Sequence, residues 1–528
     1  MLNSISAAFQ KLAVVFVVWI VSLPPLASAQ SPEIGSVTAT RDNIIVEGSR
    51  SSQRDRLVEI LPQGRSVTNS IEVTFPRSES FRSTLPRFDG ARDRLFSSFQ
   101  LVSDTVSAAP PRFVEQFDGI APFTNAFPVA ASKKGLQVQM VEDALALGIQ
   151  HAALNINFSQ MLDLAARTNS HSWTVDGAPV RFHRGYIDSL DRQIKPLARA
   201  GVVISLILLV YESGDTNVNR LLLHPAYDRT APNRLGAFNT VSAEGVRHFR
   251  ACLEFLAHRY ASDPECGGRV ANFILGNEVN SHWFWANMGR VSMETFAEDY
   301  LRTARIASTA LQTVSASARL YLSLEHHWSI RYPGGNAEQA FAARPFLDYF
   351  NRRAVEQGNF AWHMAFHPYP ENLFEPRTWN DKSATTNADT PRITFKNLEM
   401  LPRYLRQPDL LYRGAARKII LSEQGFHTPD KPDGELRQAA GYAYAWVKCA
   451  AIPEVDSFIL HRHVDHGAEG GLNLGLWTRK KDGRSHADPD RKKLSYEFFR
   501  LADTPQWKET FAPALPMIGI TSWDELLR

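Results

Sequence analysis

The stretch Leu197-Ala-Arg-Ala-Gly-Val-Val-Ile-Ser-Leu-Ile-Leu-Leu-Val210 decides the architecture. Ahead of it, Ile187, Leu190, Ile194 and Leu197 recur at helical spacing, and Gly201 ends that helix. From Val202 to Val210 the chain is apolar with no polar alternation. Such a strand is buried on both faces, as in a parallel sheet covered by helices. The unit then repeats. Val246, Phe249, Leu253, Leu256 and Tyr260 put one apolar stripe on a helix, and Arg269-Val-Ala-Asn-Phe-Ile-Leu-Gly276 follows as a strand. Val141, Leu145 and Leu147 precede His151-Ala-Ala-Leu-Asn-Ile-Asn157 in the same way, and further strands are predicted at 320–324, 360–366, 418–422 and 455–460. An earlier strand is expected between Phe113 and Val138. Eight helix-and-strand units make an α/β fold of the (β/α)8 (TIM) barrel type, expected over residues 113–528.

Loop lengths orient this barrel. Segments entering the strands are tight, whereas those leaving them, 211–241, 279–292, 370–390 and 461–493, are long. Extra chain therefore gathers on the C-terminal rim, where barrels of this type build their active sites.

Before the barrel, residues 30–112 read differently. Short runs of period two at 43–48, 57–60, 71–75 and 96–102 alternate with Gly, Pro and Ser clusters, which predicts a small antiparallel sandwich-like domain joined by Ala109-Pro110-Pro111. It holds neither Trp nor His, so packing on the barrel is its expected role rather than sugar binding. Residues 1–29 carry Lys11, an apolar run from Leu12 to Leu23 and Ala27-Ser28-Ala29, the pattern of a cleaved signal peptide. The expected location is secreted or periplasmic, with no transmembrane segment left after cleavage.

Composition narrows the function. The 58 basic and 55 acidic residues give a net charge of +3 without long single-sign blocks, so no nucleic-acid partner is indicated. Three cysteines, Cys252, Cys266 and Cys449, make neither a disulfide framework nor a four-ligand zinc site, although Cys252 and Cys266 lie close enough in sequence to pair. No cofactor motif is present, and nothing in the sequence bears on the oligomeric state.

Chemistry is carried at strand ends. Glu278 follows the fourth strand in Gly276-Asn277-Glu278, and Glu423 closes the seventh in Ser422-Glu423-Gln424-Gly425. Two carboxylates projecting into one barrel mouth suit retaining glycoside hydrolysis, in which one protonates the leaving oxygen and the other attacks the anomeric carbon. Phe273-Ile-Leu-Gly-Asn-Glu278 and Ile419-Ile-Leu-Ser-Glu-Gln-Gly425 resemble the strand-four Asn-Glu and strand-seven Glu-x-Gly motifs of the clan of retaining (β/α)8-barrel glycoside hydrolases. The resemblance spans residues 130–500 and points to a branch without an assigned activity. It implies that Glu278 is the acid/base, Glu423 the nucleophile, and Asn277 a donor to the sugar 2-hydroxyl. His367-Pro-Tyr369 is similar to a His-x-Tyr pair that orients the nucleophile in some members, with Tyr369 as the hydrogen-bond donor. In two places the chain departs from the clan: Asn155 and Asn157 stand where many members have an Arg, and His461-Arg462-His463 replaces a strand-eight Trp. Both differences bear on the substrate.

Further substrate contacts are expected from His282, His461 and His463, and from indole stacking by Trp283, Trp328 and Trp477 among the rim tryptophans, which also include Trp285 and Trp379. His282, His326, His327, His367, His427, His461, His463 and His466, with Arg462, offer bonds to hydroxyls or to an anionic sugar. The reading is thus a secreted glycoside hydrolase of poly- or oligosaccharides, without cofactor or metal. Two alternatives stand beside it: a non-catalytic carbohydrate-binding barrel, and a metal-dependent barrel hydrolase using His461, His463 and His466.

Overall fold

Eight parallel strands close on themselves in the computed structural model, which describes residues 32–63, 70–103, 109–165 and 167–527. The signal-like segment 1–29 lies outside these residues. The strands are β1 (Lys134–Gln137), β2 (His151–Asn157), β3 (Val203–Tyr211), β4 (Val270–Leu275), β5 (Arg319–Glu325), β6 (Trp362–His367), β7 (Ile419–Gln424) and β8 (Val455–Leu460). Each pairs in parallel with the next, and β8 returns to β1. The eighth strand that the sequence leaves unplaced is β1. It is short, and its Gly135 sits where a Cβ would come within 2.8 Å of Ile459 and 2.9 Å of His151.

Helices α1 (Val141–Ala146), α2 (Arg184–Arg199), α3 (Ala243–Ser262), α4 (Met293–Gln312), α5 (Ala343–Glu356), α6 (Met400–Leu405), α7 (Gly434–Ala450) and α8 (Leu494–Leu501) follow the strands in turn. The two longest, α3 and α4, start on side-chain caps: Ser242 accepts from Gly245 N at 3.0 Å and Ser292 from Thr295 N at 3.2 Å.

Strand alternation separates two cores. Outward-facing positions join the helices in one large cluster, while Ala153, Ile207, Leu209, Ile274, Tyr321, Ala365, Ile420 and Ile459 form a second cluster that fills the barrel interior. Two residues further along the strands, the same inward register reaches Gln137, Asn155, Tyr211, Ser323, His367, Ser422 and His461. The inner wall thus turns from apolar to polar at the C-terminal mouth.

Ahead of the barrel lie two four-stranded sheets. One orders Gln116–Asp118, Glu33–Thr40, Asn43–Ser49 and Ser80–Pro86; the other Ser70–Val73, Arg56–Ile60, Ser98–Val102 and Arg112–Phe113. The strands at 33–40 and 80–86 are not picked out by the sequence reading, because their Ser, Thr and Arg residues blunt the apolar alternation. Residues 112–118, just past Pro111, add an edge strand to each sheet. Cys252, Cys266 and Cys449 are buried and unpaired. Among the described residues no helix is long and apolar enough to cross a membrane.

Candidate active site

The end of β4 turns sharply. Gly276 (φ +74°) and Glu278 (φ +40°) both adopt left-handed backbone, costly for a residue with a Cβ and tolerated only where neighbours enforce it. The enforcement comes from β5: Glu278 N–H donates to Ser323 Oγ at 3.0 Å. The Glu278 carboxylate is thereby aimed across the mouth at β6, where His367 Nδ1 meets its Oε1 at 2.9 Å and His367 Nε2 meets Ser422 Oγ at 3.0 Å.

On β7 the device is a β-bulge. Leu421 pairs with Phe458 but the next pair is Gln424 with Leu460, so β7 holds one residue more than its partner between them. Both Ser422 and Glu423 can then face the interior. Tyr369 OH donates to Glu423 Oε1 at 3.1 Å and Gln137 Nε2 donates to Oε2 at 3.2 Å. Gln137 Oε1 in turn lies 2.6 Å from His461 Nδ1, and His461 Nε2 lies 2.9 Å from Glu469 Oε1, which also pairs with Arg462. With an acceptor on each side, His461 donates from both ring nitrogens when protonated.

Glu278, His367 and Glu423 converge, each contributing an atom within 4.8 Å of the other two. Burial raises the Glu278 carboxyl above the ordinary carboxylate range, the bond from His367 offsets part of this, and the charges of Glu423 and Glu325 add to the rise. Burial pushes Glu423 the same way, but the charges of His461 and His367 and the bonds from Gln137 and Tyr369 outweigh it, leaving this carboxyl below its usual value. His367 is held above the ordinary imidazole value, its own burial being outweighed by the bond to Glu278 and the negative charge around it. One carboxyl is therefore disposed to hold a proton and its neighbour to be ionised, which is the asymmetry acid/base and nucleophile need.

Asn277 lies half-buried next to Glu278, with no hydrogen bond from its amide to the described residues. Asn155 is open to the mouth. Asn157 instead caps the short helix Phe158–Met161, accepting from Ser159 N at 3.0 Å. Tyr211, at the end of β3, is raised by burial and by the charge of Glu423. Trp285 is half-buried against the interior cluster and is the rim tryptophan that reaches it.

Five expected substrate contacts are placed elsewhere. His282 is fully buried, bonded to Glu338 O at 3.0 Å and stacked on Phe341. Trp283 lies under Arg290; on the helical turn His282–Trp285 it points about 200° away from Trp285. Trp328 packs edge-on against Phe366 and Tyr404 in the helix layer. His463 is fully buried with Nε2 on Asp143 at 2.8 Å, and Trp477 Nε1 donates to the same carboxylate at 3.0 Å. Both therefore anchor the β8 loop onto α1. Trp379 likewise packs on Tyr444 of α7. With His463 on Asp143 and Arg462 on Glu469, the arm expected to meet an anionic sugar is already engaged.

The metal alternative fails on the same geometry. His461, His463 and His466 turn to Gln137 and Glu469, to Asp143, and to the Ala468 backbone, and do not converge. By donor count two sets could hold an ion, Glu278/His367/Glu423 and Glu325/His326/His327. In the second, Glu325 accepts from Asn280, Ser281 and twice from His327, and Arg392 Nη2 lies 3.2 Å from His327 Nε2, so an ion would face a saturated carboxylate and a guanidinium. In the first, the facing atoms are bonded to one another or to Gln137, Tyr369 and Ser422.

Gln137, Tyr211, Glu325 and Glu469 are the site residues that sequence reasoning missed. Strand-end position would have found Glu325, which follows Leu320–Leu324 directly, and Gln137 once β1 is placed. Glu469 lies in a long loop and carries no periodic signal.

Fold and site together define a (β/α)8 barrel that carries a carboxylate pair across its C-terminal mouth. The chain belongs to a family of unknown function (DUF5722), whose model matches residues 126–526. No curated protein matches the sequence. Similar solved structures include a family 39 glycoside hydrolase from Bacteroides cellulosilyticus WH2, at 12% identity and TM-score 0.45 over 90% of this chain and 83% of that one. The family 1 β-glucosidase from Thermotoga maritima is similar at 12% identity and TM-score 0.42, over 68% and 84%. A GH5_18 protein from Bifidobacterium longum subsp. infantis is similar at 14% identity and TM-score 0.41, over 69% and 71%.

Proposed function

We propose that this protein is a retaining glycoside hydrolase of poly- or oligosaccharides, exported by its N-terminal segment. The observation that carries the reading is the short approach of Glu278 and Glu423, within 4.8 Å at their facing oxygens, in surroundings that push their proton affinities apart. Retaining enzymes hold their carboxyl groups roughly 5 to 5.5 Å apart, whereas inverting ones leave room for a water at about 6.5 to 9.5 Å.

Glu278, protonated, gives its proton to the glycosidic oxygen as that bond to the anomeric carbon breaks. Glu423 Oε attacks the same carbon from the opposite face and forms a glycosyl ester. In the second half, Glu278 as carboxylate takes a proton from water, the water oxygen bonds to the anomeric carbon, and the ester bond breaks to restore Glu423. Tyr369 and Gln137 keep Glu423 ionised and fixed in orientation, and His367 spans the two strand ends. Asn277, whose amide has no partner among the described residues, is the donor offered to the sugar.

The test is hydrolysis of a panel of neutral and anionic glycans, with Glu423→Gln and Glu278→Gln each expected to lower turnover at least about 100-fold. A 2-deoxy-2-fluoro glycoside of the active sugar should leave a stable ester on Glu423, read by peptide mass spectrometry. A label on another residue, or a first product of inverted anomeric configuration, would overturn the assignment.

A further inference from the structure

Behind Glu278 stands a buried carboxylate that the proposed reaction does not use. Glu325, the last residue of β5, is 5% exposed. Its Oε1 accepts from Asn280 Nδ2 at 2.7 Å and Ser281 Oγ at 3.1 Å, and its own N–H donates to Asn280 Oδ1 at 3.0 Å. Its Oε2 accepts from His327 N at 2.8 Å and His327 Nδ1 at 2.5 Å. Every one of those Asn280 and Ser281 bonds falls within three residues of Glu278, on the turn that holds it in left-handed backbone. The chain continues outward: His327 Nε2 faces Arg392 Nη2, whose Nη1 donates to Ser383 Oγ at 3.0 Å, and Ser383 N donates to Glu371 Oε2 at 2.7 Å.

We propose that Glu325 is a positioning residue for Glu278: through Asn280 and Ser281 it fixes the turn that aims Glu278 at Glu423. This rests on the reading of Glu278 as the acid/base. Two observations separate the role from ordinary core packing. First, a buried carboxylate is costly unless it is fully hydrogen-bonded, and this one accepts from the Asn280 and Ser281 side chains of one turn and from the backbone and ring of His327. Second, its charge lies close enough to oppose ionisation of Glu278. The other charged or titratable groups facing Glu278 among the described residues are His367 from β6, Tyr369 just past its end and Glu423 from β7, and those facing Glu325 are His326, His327, His367 and Arg392. Burial works against the Glu325 charge, but the bonds and charge of His327, the charge of His326 and the backbone donor outweigh it and hold its carboxyl well below the usual carboxylate range.

The experiment follows the Glu278 carboxyl by 13C NMR in protein labelled at the glutamate side-chain carbon, with Glu278→Gln providing the assignment. In Glu325→Gln the Glu278 titration should move lower by about one pH unit. On whichever glycoside the wild type cleaves, kcat should fall about 10-fold with KM within twofold and the alkaline limb of the pH profile moved the same way. An unmoved Glu278 titration overturns the proposal whatever happens to kcat, since a packing defect alone lowers turnover. Where Glu325→Gln yields no folded protein, Ser281→Ala removes one bond of the clamp and must displace the Glu278 resonance; an unmoved resonance overturns the proposal equally. A wild type that cleaves no glycoside would sink the hydrolase reading and leave the titration test standing.

Discussion

Two carboxyls facing each other, half-buried, in a barrel mouth compete for one proton, and the hydrogen bonds on each decide which one holds it. Glu423 receives Tyr369 OH and Gln137 Nε2, while the Glu278 carboxylate has His367 alone among the described residues. Activity should follow a bell-shaped pH profile. It falls on the acid side as Glu423, lowered by its surroundings, gains a proton, and on the alkaline side as Glu278, raised by burial, loses its own. The rate profile of the pure protein on its best glycoside checks this, and a profile flat through neutrality into alkali counts against Glu278 as the acid. Tyr369→Phe removes one donor to an ionised group, worth about 1.5 to 3 kcal/mol, so kcat should drop roughly 10- to 100-fold and the acid limb should move to higher pH. At this scale the positions of Glu278, Glu423, His367 and Tyr369 are legible, because a strand end fixes where a residue sits. The direction of a loop side chain is not: Trp283, Trp328 and His463 share the rim with Trp285 yet point into the protein.

The elements show why one small residue is required beside the second glutamate. At Gly425 an added Cβ would stand 2.1 Å from the His461 carbonyl oxygen and 3.2 Å from Leu474 Cβ. The end of β7 can run this close to β8 only without a side chain, and that closeness brings His461 and Gln137 up to Glu423. Gly425→Ala should force the strand ends apart, lowering stability by about 1 to 3 kcal/mol and turnover by at least about 10-fold. Chemical denaturation and steady-state kinetics on one preparation measure both, and wild-type values in both would refute the close-packing account. The helix-then-strand alternation made seven of the eight barrel strands readable, since each is a buried apolar run. The first escaped because four residues ending in Gln137 carry no such run, and the bulge at Ser422–Glu423 escaped because it is a mismatch of register between two strands, invisible in either alone.

Over the whole molecule, the two N-terminal sheets and the barrel share one apolar core rather than meeting at a solvated linker. Phe113 N donates to Gln357 O at 2.9 Å, and Arg305 on α4 lies 4.6 Å below the Phe113 ring. Its Nη1 and Nη2 donate to Gly358 O and Ala354 O at 2.6 and 2.8 Å, at the C-terminal end of α5. Arg250 on α3 sits 3.5 Å from the centre of the Phe96 ring in the same fashion. The period-two runs revealed a β domain though not all of its strands, and nothing in a linear sequence signals that two barrel arginines reach across to its aromatics. Because a buried cation bonded through Nη1 and Nη2 to helix-end carbonyls joins the two parts, they should unfold together. Scanning calorimetry should give one transition, and Arg305→Ala, which leaves two carbonyls unpaired beneath Phe113, should lower stability by about 1 to 3 kcal/mol while keeping that transition single. Two separate transitions in the wild type would show that the sheets fold as an independent unit and that the shared core contributes little to holding them on the barrel.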